Sequence, residues 1–211
     1  MQAITCMQSG PLSKPAASST RGRLLEAATH VFARDGLHKA TTRVIAGEAG
    51  VNEVTLFRHF QNKDGLLAAV ISHLMESHAL QGLDEALWTG DLKKSLLHFA
   101  KSLYANLVRD EAFIRTMVGE AQRHPGYAQQ IIVDAVKPMR TRFLAHLESA
   151  RKAGQVRKGL DLAVAADSFT AMLFGGMLRN TAGCAEDYSP DTYVATCADV
   201  FAAGLAPVSG S

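Results

Sequence analysis

The sequence predicts an all-α fold of about nine helices. Apolar residues recur at three- and four-residue intervals through most of its 211 residues, helix caps and glycine stops divide these runs, and no segment shows convincing strand character. Hydrophobic residues make up 47% and charged residues 20%, an ordinary globular balance on a chain long enough to bury a large core.

The elements follow in order. Residues 1–19 are small and polar with Pro11 and Pro15, and read as a flexible tail without the basic flank and apolar run of a signal peptide. From Thr20, a possible cap, Leu24, Leu25, Ala28, Val31 and Phe32 mark one face of a helix of about four turns that ends at Asp35-Gly36. Thr41 or Thr42 caps a short segment expected to turn Val44, Ile45 and Ala49 inward, and Gly50 stands where a helix end favours positive φ. Asn52 caps a two-turn segment from Glu53 to His59, with Leu56 and Phe60 available for burial. A fourth helix starts after Asn62 and carries Leu66, Leu67, Val70, Ile71 and Leu74.

The later helices keep the period. Asp91 caps a segment with Leu92, Leu96, Phe99, Ala100, Leu103 and Leu107, and another runs from Glu111 to Arg123 before His124-Pro125-Gly126. Ile131, Ile132, Ala135, Val136, Met139, Phe143, Leu144 and Leu147 continue through Pro138, which is expected to kink that helix. Asp161 caps a nearly all-apolar helix reaching Leu178, and a last helix from Pro190 to Ala203 has Tyr193, Val194, Cys197, Val200 and Phe201 on one face.

A net charge of +2 excludes binding of nucleic acid by bulk charge, but the charge is unevenly spread. Residues 14–65 hold eight Lys and Arg against five Asp and Glu, with His30, His38 and His59 in addition, which leaves −1 for the rest. That imbalance alone fits a solvated surface as well as a binding face. Cys6, Cys184 and Cys197 form no CxxC and have no zinc-finger histidines, so no disulfide framework, metal site or cofactor is expected and a reducing cytoplasm fits. A redox pair of Cys184 and Cys197 is the alternative to simple burial. The absence of about 18 uninterrupted apolar residues argues against a membrane span.

Thr42 to Phe60, two short helices joined at Gly50-Val51, has the spacing of a helix-turn-helix, a pattern also common in ordinary helical packing. The identities are more specific. Ile45-Ala46, Ala49-Gly50-Val51, Thr55-Leu56-Phe57, His59-Phe60 and Asn62-Lys63, preceded by Leu24-Leu25-Glu26-Ala27-Ala28, Val31-Phe32-Ala33 and Gly36, resemble the tetracycline-repressor (TetR) family of bacterial transcriptional regulators over about residues 20–70. Beyond residue 75 the resemblance lies only in the number, length and order of helices.

The resemblance implies three parts: the tail, a DNA-binding domain at 20–67, and an effector-binding and dimerisation domain at 68–211. It implies a homodimer on a pseudo-palindromic double-stranded operator, with half-sites one helical turn, about 34 to 36 Å, apart. Thr42 and Arg43 match positions that touch phosphate, and Arg43 also a guanine edge. Thr55 and Phe57 match phosphate, base or thymine-methyl contacts, although the family more often has Tyr at the latter. Lys63 matches a phosphate-binding lysine at a helix start. His59 has a mixed packing and phosphate role. Asn52, Glu53, Val54 and Arg58 complete the set. Glu53 and Val54 depart from the usual basic or small residues, and Glu53 either accepts from a cytosine amino group or points to water.

Phe99, Leu103, Tyr104, Phe113, Met117, Phe143, Phe169 and Met172 would line a largely apolar effector pocket, or form an ordinary core. The last two helices, with Gly175-Gly176 permitting close approach, are expected to form a four-helix bundle across the dimer axis. The function expected is a ligand-released repressor; the alternative is a dimeric regulator without a small-molecule effector, controlled by a partner protein or acting as an activator. No HExxH, P-loop, GxGxxG or nucleophile elbow is present, and Glu120 and His124 lack a third partner, so no enzyme is expected.

Overall fold

The computed structural model describes residues 19–74, 83, 88, 90–123, 126, 129, 136–183 and 187–207. Among them are nine α-helices and no strand: α1 (Thr20–Lys39), α2 (Thr42–Glu48), α3 (Glu53–Phe60), α4 (Lys63–Leu74), α5 (Leu92–Arg109), α6 (Glu111–Arg123), α7 (Lys137–Lys152), α8 (Leu162–Thr181) and α9 (Pro190–Leu205).

Most boundaries are locally caused. Ser19, rather than Thr20, caps α1 by accepting from Gly22 N at 3.1 Å. Gly36, at φ 74°, breaks the helical path before a last turn at Leu37. Thr41 caps α2, Asn52 caps α3, Asp91 caps α5, Asp161 caps α8 and Ser189 caps α9, each accepting from a backbone N–H of the first turn. Pro138 stands in the first turn of α7 as described, and the residues before it on which its expected kink depends lie outside the described ones. The expected continuation through Ile131, Ile132 and Ala135 lies outside the described residues, as do Cys6, Cys184 and His124-Pro125.

Two apolar cores organise the chain. Leu24, Leu25, Val31, Phe32, Ile45, Leu56, Phe60, Leu66 and Val70 fill the first, which we call the head. It extends past residue 67 through Val70 and Ile71, and it takes in Phe113 and Met117 of α6. The second, the body, gathers Phe99, Phe143, Phe169, Leu173, Met177, Val194 and Ala198 from α5, α7, α8 and α9. Thus α6 closes the head against α1, with Thr116 Oγ1 donating to the Ala33 carbonyl at 3.4 Å. At its other side Arg115 donates to the Leu178 carbonyl and to Thr181 Oγ1, both at 2.8 Å, and so caps the end of α8.

Helix α8 has the length and mean hydropathy, 1.2, of a membrane span. Its inner face nevertheless carries the body core, and Asp167 forms a two-bond ion pair with Arg140 of α7 at 2.6 and 3.0 Å. Its outer face, Val164, Ser168, Ala171 and Gly175, is exposed.

Candidate nucleic-acid interface

The turn between α2 and α3 is set by Gly50, at φ 67°, and closed by the Val51 N–H donating to the Ala46 carbonyl at 3.0 Å. Asn52 Oδ1 then accepts from both the backbone N–H and the hydroxyl of Thr55, at 2.8 and 2.7 Å. These bonds start α3 at a defined register, and Leu56 and Phe60 anchor it in the head. Val54, Phe57, Arg58 and His59 remain exposed. Beyond α3, Gly65 is required, because a Cβ there would collide with the Phe60 carbonyl.

Arg43 and Arg58 are exposed and make no ion pair among the described residues. Arg34, His30 and Arg21 are engaged. Arg34 holds Asp35 through two bonds, at 2.8 and 3.0 Å, and Glu48 at 3.1 Å, while His30 Nδ1 lies 3.3 Å from Glu48. The Arg34 guanidinium holds the Asp35 carboxyl below the usual carboxylate range. Arg21 lies over the Phe60 ring at 5.6 Å.

Two expectations need correction, those for Val44 and for Phe113 with Met117. Val44 does not face inward; it is 42% exposed, because in a seven-residue helix Ile45 and Ala46 supply the buried edge. Thr42 Oγ1 donates to Glu53 Oε1 at 2.5 Å, which joins the starts of α2 and α3 and engages one of the two carboxylate oxygens internally. Lys63 is partly buried, and one of the three N–H donors of its Nζ goes to the Leu37 carbonyl at the end of α1. Burial pushes its pKa down, opposed by Asp64 and Glu120. Phe113 and Met117 belong to the head core and not to the body.

The remaining residues of the expected effector pocket gather in the body. Phe99 stacks on Phe143 at 4.4 Å between centroids, Phe169 stacks on Phe201 at 4.3 Å, and the two pairs touch through Phe143 and Phe169 at 5.9 Å. Leu103 and Tyr104 are buried in the same cluster, with Met172 at its edge. Asn180 Nδ2 donates to the Tyr104 hydroxyl at 2.6 Å. Beside the aromatic cluster lies a groove of about 360 Å³ lined by Leu83, Trp88, Arg142, Ala145, His146 and Ser149. The Trp88 ring forms its wall, stacked on His146 at 4.4 Å and 5.9 Å from Phe143. Sequence reading missed this groove because its two sides lie more than fifty residues apart and share no motif.

Comparison with known proteins adds independent findings. Residues 24–70 match the family described as bacterial regulatory proteins, tetR family, and residues 88–197 match the tetracyclin repressor-like C-terminal domain. The uncharacterized HTH-type transcriptional regulator YvkB of Bacillus subtilis (strain 168) is 30% identical over 166 residues, covering 74% of this chain and 80% of the relative. The HTH-type transcriptional regulator UidR of Escherichia coli (strain K12) is 25% identical over 161 residues, covering 75% and 80%. The crystal structure of the transcriptional regulator FadR from Bacillus subtilis in complex with stearoyl-CoA has a similar fold, with a TM-score of 0.74 at 19% identity over 87% of this chain and 98% of that one.

Proposed function

The chain belongs to the tetR family of bacterial regulatory proteins, a family of DNA-binding transcriptional regulators and not of enzymes, and from this premise we propose that it acts as a homodimeric repressor released from its operator by a small, largely apolar effector. The observation that carries the DNA-binding part is the outer side of α3, where Arg58 stands exposed beside Val54 and Phe57, with Arg43 exposed at the start of α2. Unpaired guanidiniums at a helix-turn-helix have phosphate and guanine edges as their natural partners. Action on DNA implies a cytoplasmic protein.

Dimerisation through α8 and α9 is supported by their outer faces. Val164, Ser168, Ala171 and Gly175 on α8, with Thr192, Thr196, Val200 and Ala203 on α9, form two exposed stripes of small or apolar residues at helical spacing. A Cβ added at Gly175 would meet nothing within 4 Å, which leaves room for a second copy to approach.

A second reading, regulation without a small-molecule effector, is favoured by the close ring contacts of Phe99, Phe143, Phe169 and Phe201, which use apolar surface that a ligand would otherwise contact. A thermal-shift screen of chemically diverse apolar compounds decides between the two. A stabilising compound that also displaces the protein from DNA upstream of its own gene supports the first reading. Retention on DNA with every compound tested supports the second. Failure to bind that DNA in a gel shift, or a monomeric mass by light scattering at micromolar concentration, contradicts the corresponding part of the proposal.

A further inference from the structure

We infer that the groove beside Trp88 binds a small aryl carboxylate, with Arg142 holding the carboxylate and the Trp88 indole serving as an aromatic wall. This goes beyond the effector reading above: the ligand is an anion, and none of the groove's lining residues belongs to the set expected to hold an apolar effector. One side of the groove is a face of α7. Arg142, Ala145, His146 and Ser149 stand at i, i+3, i+4 and i+7, and Leu83 and Trp88, which precede α5 in the sequence, complete the lining. The wall is fixed by its own contacts. The Trp88 and His146 rings stack at 4.4 Å with their planes 6° apart, and Trp88 lies 5.9 Å from Phe143 and 6.4 Å from Phe99. His146 Nε2 is 3.1 Å from the Leu83 carbonyl, which only accepts, so Nε2 carries the proton and the imidazole is held at its edge as well as its face. An aromatic wall ordered in advance saves a ligand that ordering cost, and it favours another flat ring as its neighbour.

Charge fixes the other half of the ligand. Of the three arginines on α7, Arg140 is held by Asp167 at 2.6 and 3.0 Å and Arg151 by Glu148 at 2.6 Å. Arg142 is exposed and makes no ion pair among the described residues. A planar guanidinium with no carboxylate of its own binds both oxygens of an incoming carboxylate side by side. A wholly apolar occupant would strip water from that guanidinium and return no hydrogen bond. A phosphate dianion calls for a second permanent cation, and Arg142 is the only one in the lining. The volume of about 360 Å³ lies near the lower end of small-ligand sites, about 300 to 1,000 Å³, and suits one ring with a short acidic side chain.

Trp88 is the only tryptophan of the chain, so its emission reports on the groove directly. The probe is 3-phenylpropionate, which does not absorb where tryptophan is excited, titrated into the full-length protein and followed by calorimetry and by Trp88 emission. Saturable binding by millimolar concentration is expected, with the emission change following the calorimetric curve. The methyl ester of the probe, which lacks the charge, should bind about tenfold more weakly. Arg142→Gln should weaken binding of the free acid by a similar factor, the usual worth of a hydrogen bond to a charged group. Far-UV circular dichroism checks that the variant remains folded, as expected for an exposed position. Absence of binding at millimolar probe overturns the proposal, as do equal affinities for acid and ester, undiminished affinity in Arg142→Gln, or binding that leaves Trp88 emission unchanged. None of these readouts requires release of DNA, so failure here is distinguishable from failure of the effector reading.

Discussion

Gly176 of α8 lies directly against the ring of Tyr193 of α9: a Cβ built on this glycine would sit 2.6 Å from Tyr193 Cζ. The ring has little freedom to retreat. Its hydroxyl donates to the Met172 carbonyl at 2.7 Å, it stacks near Tyr188 at 5.9 Å, and the Arg179 guanidinium lies 5.0 Å from its centroid. The neighbouring Gly175 faces outward with nothing within 4 Å. One dipeptide thus serves two surfaces, the first packed inside the chain and the second open to solvent.

Gly176→Ala is expected to destabilise the protein by about 1 to 3 kcal/mol through overpacking, whereas Gly175→Ala should leave the fold intact. Chemical denaturation of both variants measures the difference. Equal midpoints for the two would contradict this division.

Arg43→Ala and Arg58→Ala should each weaken DNA binding and lower the slope of log affinity against log salt by about one, as expected for loss of a phosphate contact. Lys63→Ala behaves differently, because Nζ also donates to the Leu37 carbonyl. It should lower stability by about 1 kcal/mol, the usual worth of a hydrogen bond, a loss that Arg43→Ala and Arg58→Ala should not show. Gel-shift titrations at several salt concentrations, paired with thermal melts, separate the two classes.

Phe113→Ala should disturb the head although the residue lies on α6. Phe113 is buried in the head core beside Met117, so truncation leaves a cavity there, worth about 3 to 5 kcal/mol. Amide exchange should then quicken in α1 and α4 while the α8–α9 contact stays protected. Faster exchange confined to the body would show that the residue supports the wrong core.

The Arg140–Asp167 pair joins α7 to α8, and the hydrogen bonds from Arg140 hold the Asp167 carboxyl below the usual carboxylate range. A carboxylate depressed in the folded state adds stability above its unfolded value, about 3.9, and loses it as pH falls through the lower folded value. The wild-type protein should therefore lose its advantage over Asp167→Asn as pH is lowered from 5 to 3. A stability difference that is flat across this window would deny the pair its role.

Local chemistry was largely legible in the sequence. Asn52, Asp91 and Asp161 cap the helices they precede, Gly36 and Gly50 adopt positive φ, and the 3.6-residue period located the buried faces of α1, α4 and α5. The motif from Ile45 to Lys63 identified the head. Each of these depends on residues within about one turn of each other, so a single chain segment carries the whole signal. The short α2 was less legible: with only seven residues, periodicity did not separate an inward from an outward Val44.

The sequence by itself determined the helices, their order and the presence of a helix-turn-helix. Tertiary structure decided which side chains that motif leaves free. Thr42 reaches Glu53 across 11 residues, Lys63 reaches Leu37 across 26, and Phe113 joins a head core built mainly from residues more than forty positions earlier. Sequence spacing carries no information about such contacts, because they follow from how rigid helices dock once their apolar faces are covered. The same docking turned Gly176 inward and left Gly175 outward, a distinction invisible in two identical letters.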